Sequence, residues 1–250
     1  MVREGDRNEE LRYSLRSLAA NVPHDRVWVV GYKPAWLTGV QHLRVKQGNQ
    51  KHDNTWAIMR AFANHPGIAD ELLLMNDDFF VMHPVGAVPV MHRGLLPAWL
   101  ERYGAKGGSW AAEKMLATRE VLAAVGRDPA TLLSYELHVP LPVDRRWLAE
   151  VIAVADQMRA AGRVAGPLCK RTLYGNYAGL GGLRAEDCKI ANEDLRPDPL
   201  RTYLSTSDGS FRYWKVGRYI RSQLTIPSPY ESAHTGGFRE LPRSRPLSAK

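Results

Sequence analysis

Two short runs, VWVVG at residues 27–31 and ELLLM at residues 71–75, carry apolar side chains at consecutive positions instead of alternating them with polar ones. A strand buries such a run only when both of its faces are covered, as happens in α/β layer structures. The flanking segments agree with that reading. Residues 6–21 place Leu11, Leu15 and Leu18 at helical spacing, with Glu9 and Glu10 in the positive first turn and Asp6 or Asn8 able to cap. Arg12 and Arg16 then share one helix face. HLRV at 42–45 is a weaker strand, and NTWAIMRAFANH at 54–65 is a second helix stopped by Pro66 and Gly67. Helix, strand, strand, helix, strand in that order predicts an α/β fold with a mostly parallel sheet flanked by helices.

The middle of the chain, about 95–165, reads as a helical insertion: AAEKMLATREVLAAVG and RRWLAEVIAVADQMRAAG both repeat near 3.6 residues. Between them LSYELHVPLPVD is extended and punctuated by prolines. Residues 168–184, LCKRTLYGNYAGLGGLR, mix cations, aromatics and glycines and read as a shaped loop.

Ligands of parallel α/β sheets bind beyond the carboxyl ends of the strands, which is where Asn76, Asp77 and Asp78 follow ELLLM. A hard cation such as Mg²⁺ or Mn²⁺ takes one or two protein carboxylates and completes its shell with water and substrate phosphate, so the doublet is a candidate metal site. The same pair also suits a plain turn. His138, in a segment that Pro140 and Pro142 keep out of a helix, is a candidate general base near neutral pH. Asp208, before a glycine in STSDGSF, is either a turn residue or a partner in the same chemistry. Lys170 and Arg171, with Asn176 and nearby glycines, either clamp phosphate oxygens or form a solvated basic loop. Trp28, Trp36, Trp56 and Trp99 read as core, since they do not interleave with basic residues as a nucleic-acid stacking platform would.

At 250 residues and 44% hydrophobic content the chain can build one large core or two small ones. No run approaches the roughly 18 apolar residues of a membrane span, and the charged start lacks the apolar stretch of a signal peptide, which leads us to expect a cytoplasmic protein with no membrane span. Cys169 and Cys188 have no CxxC partner and suggest neither a zinc site nor a disulfide framework. The net charge of +8 invites a polyanion. Part of it lies in the tail, residues 232–250, where Arg239, Arg243, Arg245 and Lys250 against Glu240 give +3 and leave +5 for the rest. That tail has no hydrophobic period and reads as disordered, so the expected folded unit is one domain over residues 1–231.

Taken in order, these segments resemble the Stealth family of sugar-phosphate transferases, which includes capsular polysaccharide phosphotransferases and the catalytic subunit of the lysosomal-enzyme N-acetylglucosamine phosphotransferase. NEELRYSLRSL is similar to the opening of the family's second block, Pro34, Trp36 and Leu37 to its P-x-W-L, and LLLMNDDFFV to its strand ending in Asn-Asp-Asp. HVPLPVD resembles its His-x-Pro block, LSTSDGSF its later Asn-Asp block and IPSPYE its Pro-Ser-Pro-Phe-Glu ending. Leu141 stands where the family has a second histidine, Ser207 where it has an asparagine, and the opening block is nearly absent before MVREGD. The compactness is that of relatives encoded by bacteria and their phages.

The resemblance implies a GT-A-like, Rossmann-like core and a metal-dependent glycosyltransferase or hexose-1-phosphate transferase using a nucleotide sugar, a UDP-sugar foremost. The acceptor would be a polysaccharide or protein hydroxyl. Asp77 and Asp78 would hold Mn²⁺ or Mg²⁺ on the donor diphosphate, and His138, or Asp208 acting through it, would take the acceptor proton. Arg3, Arg12, Lys170 and Arg171 would hold phosphates, and Asn54 and Asn176 would position sugar or nucleotide. Two other classes stay open: a nucleic-acid-binding protein, suggested by the charge, and a non-catalytic carbohydrate-binding protein on a transferase fold.

Overall fold

In the computed structural model, residues 2, 4–5, 8–104, 110–191 and 193–232 are described. Arg3, Asp6 and the tail from residue 233 onward lie outside them, as do the expectations attached to those residues.

The first helix, α1 (Glu9–Asn21), turns Leu11, Leu15 and Leu18 into the core together with Ser14 and Ser17. Ser17 is buried because its hydroxyl has work there: it donates to Ser14 O at 2.7 Å and accepts the Val81 N–H at 3.0 Å, tying the helix to β4 (Phe79–Val81). The first apolar run forms β1 (Trp28–Gly31), which pairs in parallel with β2 (Gln41–Arg44). Val2 adds a single parallel bridge to Gly31. Gly31 sits at φ 111°, and a Cβ there would meet Val2 O at 2.3 Å, so both backbone and space demand glycine. Next, α2 (Lys51–Ala63) buries Trp56, Met59, Phe62 and Ala63.

The second apolar run is β3 (Glu71–Leu74), but its partner is antiparallel: β6 (Leu141–Asp144), with Leu73 opposite Pro142. The extended LSYELHVPLPVD segment thus ends as a strand, and Pro142 is tolerated because β6 has β3 as its only neighbour among the described residues. The expected mostly parallel sheet is corrected here to mixed pairing in small ladders. An apolar run reports that both faces are covered; it carries no information about which strand lies alongside. Besides the two pairs above, β4 joins β9 (Tyr203–Thr206) antiparallel, β9 joins β8 (Lys189–Ile190) in parallel, and β5 (Met91–His92) joins β7 (Leu183–Arg184) in parallel.

The helical middle is present as α3 (Leu96–Gly104), α4 (Trp110–Ala124) and α5 (Arg145–Ala160), the last capped by the Asp144 side chain on the Arg146 N–H. The following stretch differs from the sequence expectation of a loop: Lys170–Tyr177 is a helix, α6. Burial of Arg171, Thr172, Leu173 and Tyr174 outweighs the poor local propensity, and Gly175 is needed because a Cβ there would sit 2.5 Å from the Tyr135 ring. Two short helices, α7 (Asp208–Tyr213) and α8 (Lys215–Gln223), close the described fold, α7 starting on a reciprocal Ser207–Ser210 capping box. The chain is therefore a mixed α/β protein with eight helices and small sheets among its described residues. None of those helices is long and apolar enough to cross a membrane.

Candidate functional site

Asp77 and Asp78 occupy the turn between β3 and β4, closed by the Phe79 N–H on Asn76 O at 3.4 Å. Asp78 Oδ2 takes the Lys189 ammonium from β8 at 3.1 Å, and the Asp78 carbonyl accepts the Thr206 N–H from the end of β9. The same Thr206 donates its hydroxyl to Glu10 Oε1 at 2.6 Å. Glu10 is pushed up to about 8, first by burial and then by a hydrogen bond with Asp208 and the negative charges of Asp78 and Asp208, against the lowering effect of the Thr206 bond. Two carboxyl groups that hydrogen-bond each other share a proton, and the burial of Glu10 keeps a proton on its carboxyl at neutral pH. The N-terminus of α1, the β3–β4 turn and the start of α7 thus bring Glu10, Asp78 and Asp208 into one electrostatic group.

His138 follows the buried Leu137, and its Nδ1 lies 2.8 Å from Asp187 Oδ2 and 3.1 Å from Oδ1. Its own backbone N–H donates to Asp187 Oδ1 at 3.0 Å, so one carboxylate grips ring and main chain together. Burial works to raise the Asp187 carboxyl, but the His138 bonds and charge, with the Arg93 charge behind them, hold it at about 2. A carboxylate on Nδ1 makes that nitrogen the donor and leaves Nε2 as the basic one. Nε2 has no hydrogen-bond partner among the described residues, and the side chain is 35% exposed.

Arg171 connects the two halves. Its buried guanidinium donates to Leu137 O at 2.6 Å and reaches Leu74 O at 3.5 Å, tying the residue before His138 to the end of β3. It also lies 5.0 Å over the Phe79 ring, which meets the His138 ring edge-on at 6.1 Å. Burial draws its pKa down to about 10, against the opposing charges of Glu136, Asp78 and Asp187.

Several residues expected at the site are placed elsewhere or spent on the fold. Arg12, with Arg16, binds Glu231 at 2.7–2.8 Å, so the α1 arginine face meets the IPSPYE carboxylate instead of offering a phosphate clamp. The donors of Arg171 face carbonyl oxygens, and its role is to hold the Leu137 segment to the end of β3. Lys170, the adjacent residue of α6, lines a different cleft beside His52, Trp56 and Trp110, so the expected Lys170–Arg171 pair does not act as one clamp. Asn54 exchanges two 2.7 Å hydrogen bonds with the Gly48 backbone. Asn176 binds both polar groups of the Leu133 backbone and Thr172 O, which commits its amide to packing α6 on residues 132–134. Both cysteines are buried, and burial pushes their thiols to about 12, leaving no reactive thiolate at neutral pH. Sequence reading missed Asp187 and gave Glu10 only a helix-dipole role; Asp187 lies in RAEDCKI, a segment with no period or motif to single it out.

Among the described residues no group of three or more His, Cys, Asp or Glu side chains is placed to enclose a metal. The turn carries two consecutive carboxylates, the donor type that a hard dication takes alongside water and phosphate, and one of them, Asp78, is engaged by Lys189 at 3.1 Å. No protein-family model matches the chain, and no curated protein matches it.

Proposed function

We propose that this chain is a metal-dependent nucleotide-sugar transferase with a GT-A-like core, moving a sugar or sugar phosphate to an acceptor hydroxyl. The observation that carries the reading is the Asp187-gripped His138, with Nε2 open, beside the Asp77–Asp78 turn. An imidazole so oriented is equipped to take the acceptor proton, and Asp187 stabilises the imidazolium that results. Asp77 and Asp78 would hold Mg²⁺ or Mn²⁺, which when bound neutralises charge on the leaving phosphate. Arg171 positions both halves through the Leu74 and Leu137 carbonyls. Asp208 and protonated Glu10 set the charge around the turn.

The nucleic-acid reading has less support. Arg12 and Arg16 are paired with Glu231, Arg60 with Asp156, Arg145 with Asp70 and Arg221 with Glu9, so these arginines are not presented to a polyanion. The test is incubation with a panel of nucleotide sugars and Mn²⁺ or Mg²⁺, with nucleotide products read by mass spectrometry. Metal-dependent release of a nucleoside diphosphate identifies attack at the anomeric carbon, and release of a monophosphate identifies attack at the β-phosphorus. Absence of both, together with no thermal shift by any donor, overturns the reading.

A further inference from the structure

A cleft of about 920 Å³ is walled by α2, the start of α4, α5 and the segment leading into α6. Lys170, Arg60, Arg159 and His52 line it together with two carboxylates, Asp53 and Asp156. Arg60 shares Asp156 with the Trp56 indole N–H, which satisfies that wall. Lys170 lines the cleft, partly buried, and Lys114 lies at its edge over the Trp110 ring; neither ammonium has an ion-pair or hydrogen-bond partner among the described residues. Burial, followed in effect by the charges of Lys114, Arg171 and Lys51, lowers Lys170 to about 8, even with Glu136 pulling the other way. Glu136 itself is turned to the Thr172 N–H of α6. His52 is lowered by burial and by the same lysines.

One helix N-terminus adds to the positive field: Gln50, the N-cap of α2, lines the cleft and makes no side-chain capping bond, whereas the N-terminus of α6 already has the Glu136 carboxylate on its Thr172 N–H. Beside it Trp110 is 51% exposed, its ring 4.5 Å from the His52 ring and 4.3 Å from the Lys114 ammonium. An exposed indole next to unpaired ammonium groups matches a ligand that carries an anion and a ring together.

We propose that this cleft is a metal-independent binding site for a small phosphorylated, ring-bearing ligand, its phosphate held by Lys114, Lys170 and the α2 N-terminus and its ring packed against Trp110. The chemistry is shared by a mononucleotide and a sugar phosphate. The assignment goes beyond the transferase reading and holds independently of it, because it needs neither Asp77 and Asp78 nor turnover.

The test is calorimetric titration of the full chain in metal-free buffer with inorganic phosphate, uridine monophosphate and glucose 6-phosphate. At least one ring-bearing phosphate is expected to bind more tightly than inorganic phosphate, and the better of the two identifies the source. Lys114→Gln and Lys170→Met are each expected to weaken it about tenfold or more, the loss of one charge-assisted hydrogen bond. Trp110→Ala should remove the advantage over inorganic phosphate, and Asp77→Asn should leave binding unchanged. Lys170→Met should melt at or above the wild-type temperature, since it removes an ammonium that burial disfavours. Native affinity in both lysine variants, equal weakening by Asp77→Asn, no advantage for either ring-bearing probe, or a lowered melting temperature in Lys170→Met would each overturn the assignment.

Discussion

Glu231 ties the end of the described fold to α1, and its replacement by Gln has a calculable cost. Its carboxylate accepts from Arg12 at 2.7 Å and from Arg16 twice at 2.8 Å, with side chains only 5% and 12% exposed on the arginines and 5% on the glutamate. Burial by itself would raise Glu231, but the Arg16, Ser228 and Arg12 bonds carry it from the ordinary 4.5 to about 2. At 1.36 kcal/mol per pH unit that difference corresponds to about 3 kcal/mol, in line with the roughly 3–5 kcal/mol lost when one partner of a buried pair is removed. Because the folded value is depressed, the stabilisation is complete above the unfolded value near 4.5 and is lost as pH falls through about 2. Urea unfolding of wild type and Glu231→Gln should therefore differ by about 3 kcal/mol at pH 7, and the gap should close steadily below about pH 5. A gap under about 1 kcal/mol at pH 7, or one that persists unchanged to pH 2.5, would refute the ion-pair account.

Other outcomes follow from the same geometry. His138→Ala should lower turnover by about 10² or more while donor affinity is retained, and Asp187→Asn should lower turnover in the same direction with a changed pH profile; full-rate variants remove the base assignment. Asp77→Asn and Asp78→Asn should abolish the Mn²⁺-dependent part of donor binding measured by calorimetry, with far-UV circular dichroism unchanged, and unchanged donor affinity removes the metal assignment. Gly31→Ala should destabilise by more than about 2 kcal/mol in urea melts, because its Cβ would approach Val2 O at 2.3 Å with φ at 111°; a near-neutral result would contradict that close approach.

Much of the local architecture was legible. Leu11, Leu15 and Leu18 marked α1, the period of residues 145–162 marked α5, and VWVVG and ELLLM marked β1 and β3, since burial of a periodic or continuous apolar face leaves its trace within a few residues. The Asp77–Asp78 turn was legible for the same reason. The helix over Lys170–Tyr177 was not, because its stability comes from packing Leu173, Tyr174 and Gly175 against distant segments such as Tyr135, and its own composition argues for a loop.

The sequence by itself determined α1, α2, α5, β1 and β3, that a carboxylate doublet ends an apolar strand, and that His138 lies outside any helix. Only the tertiary structure decided that β3 lies antiparallel to β6, that Asp187 grips His138 across 49 residues, and that Glu231 claims Arg12 across 219. It also sent Lys170 to a cleft and its sequence neighbour Arg171 into the interior against Leu137 O. The division is physical: propensity and amphipathic period act over one or two turns of chain, whereas charge pairing and strand partnership depend on which surfaces the whole chain brings within a few ångströms.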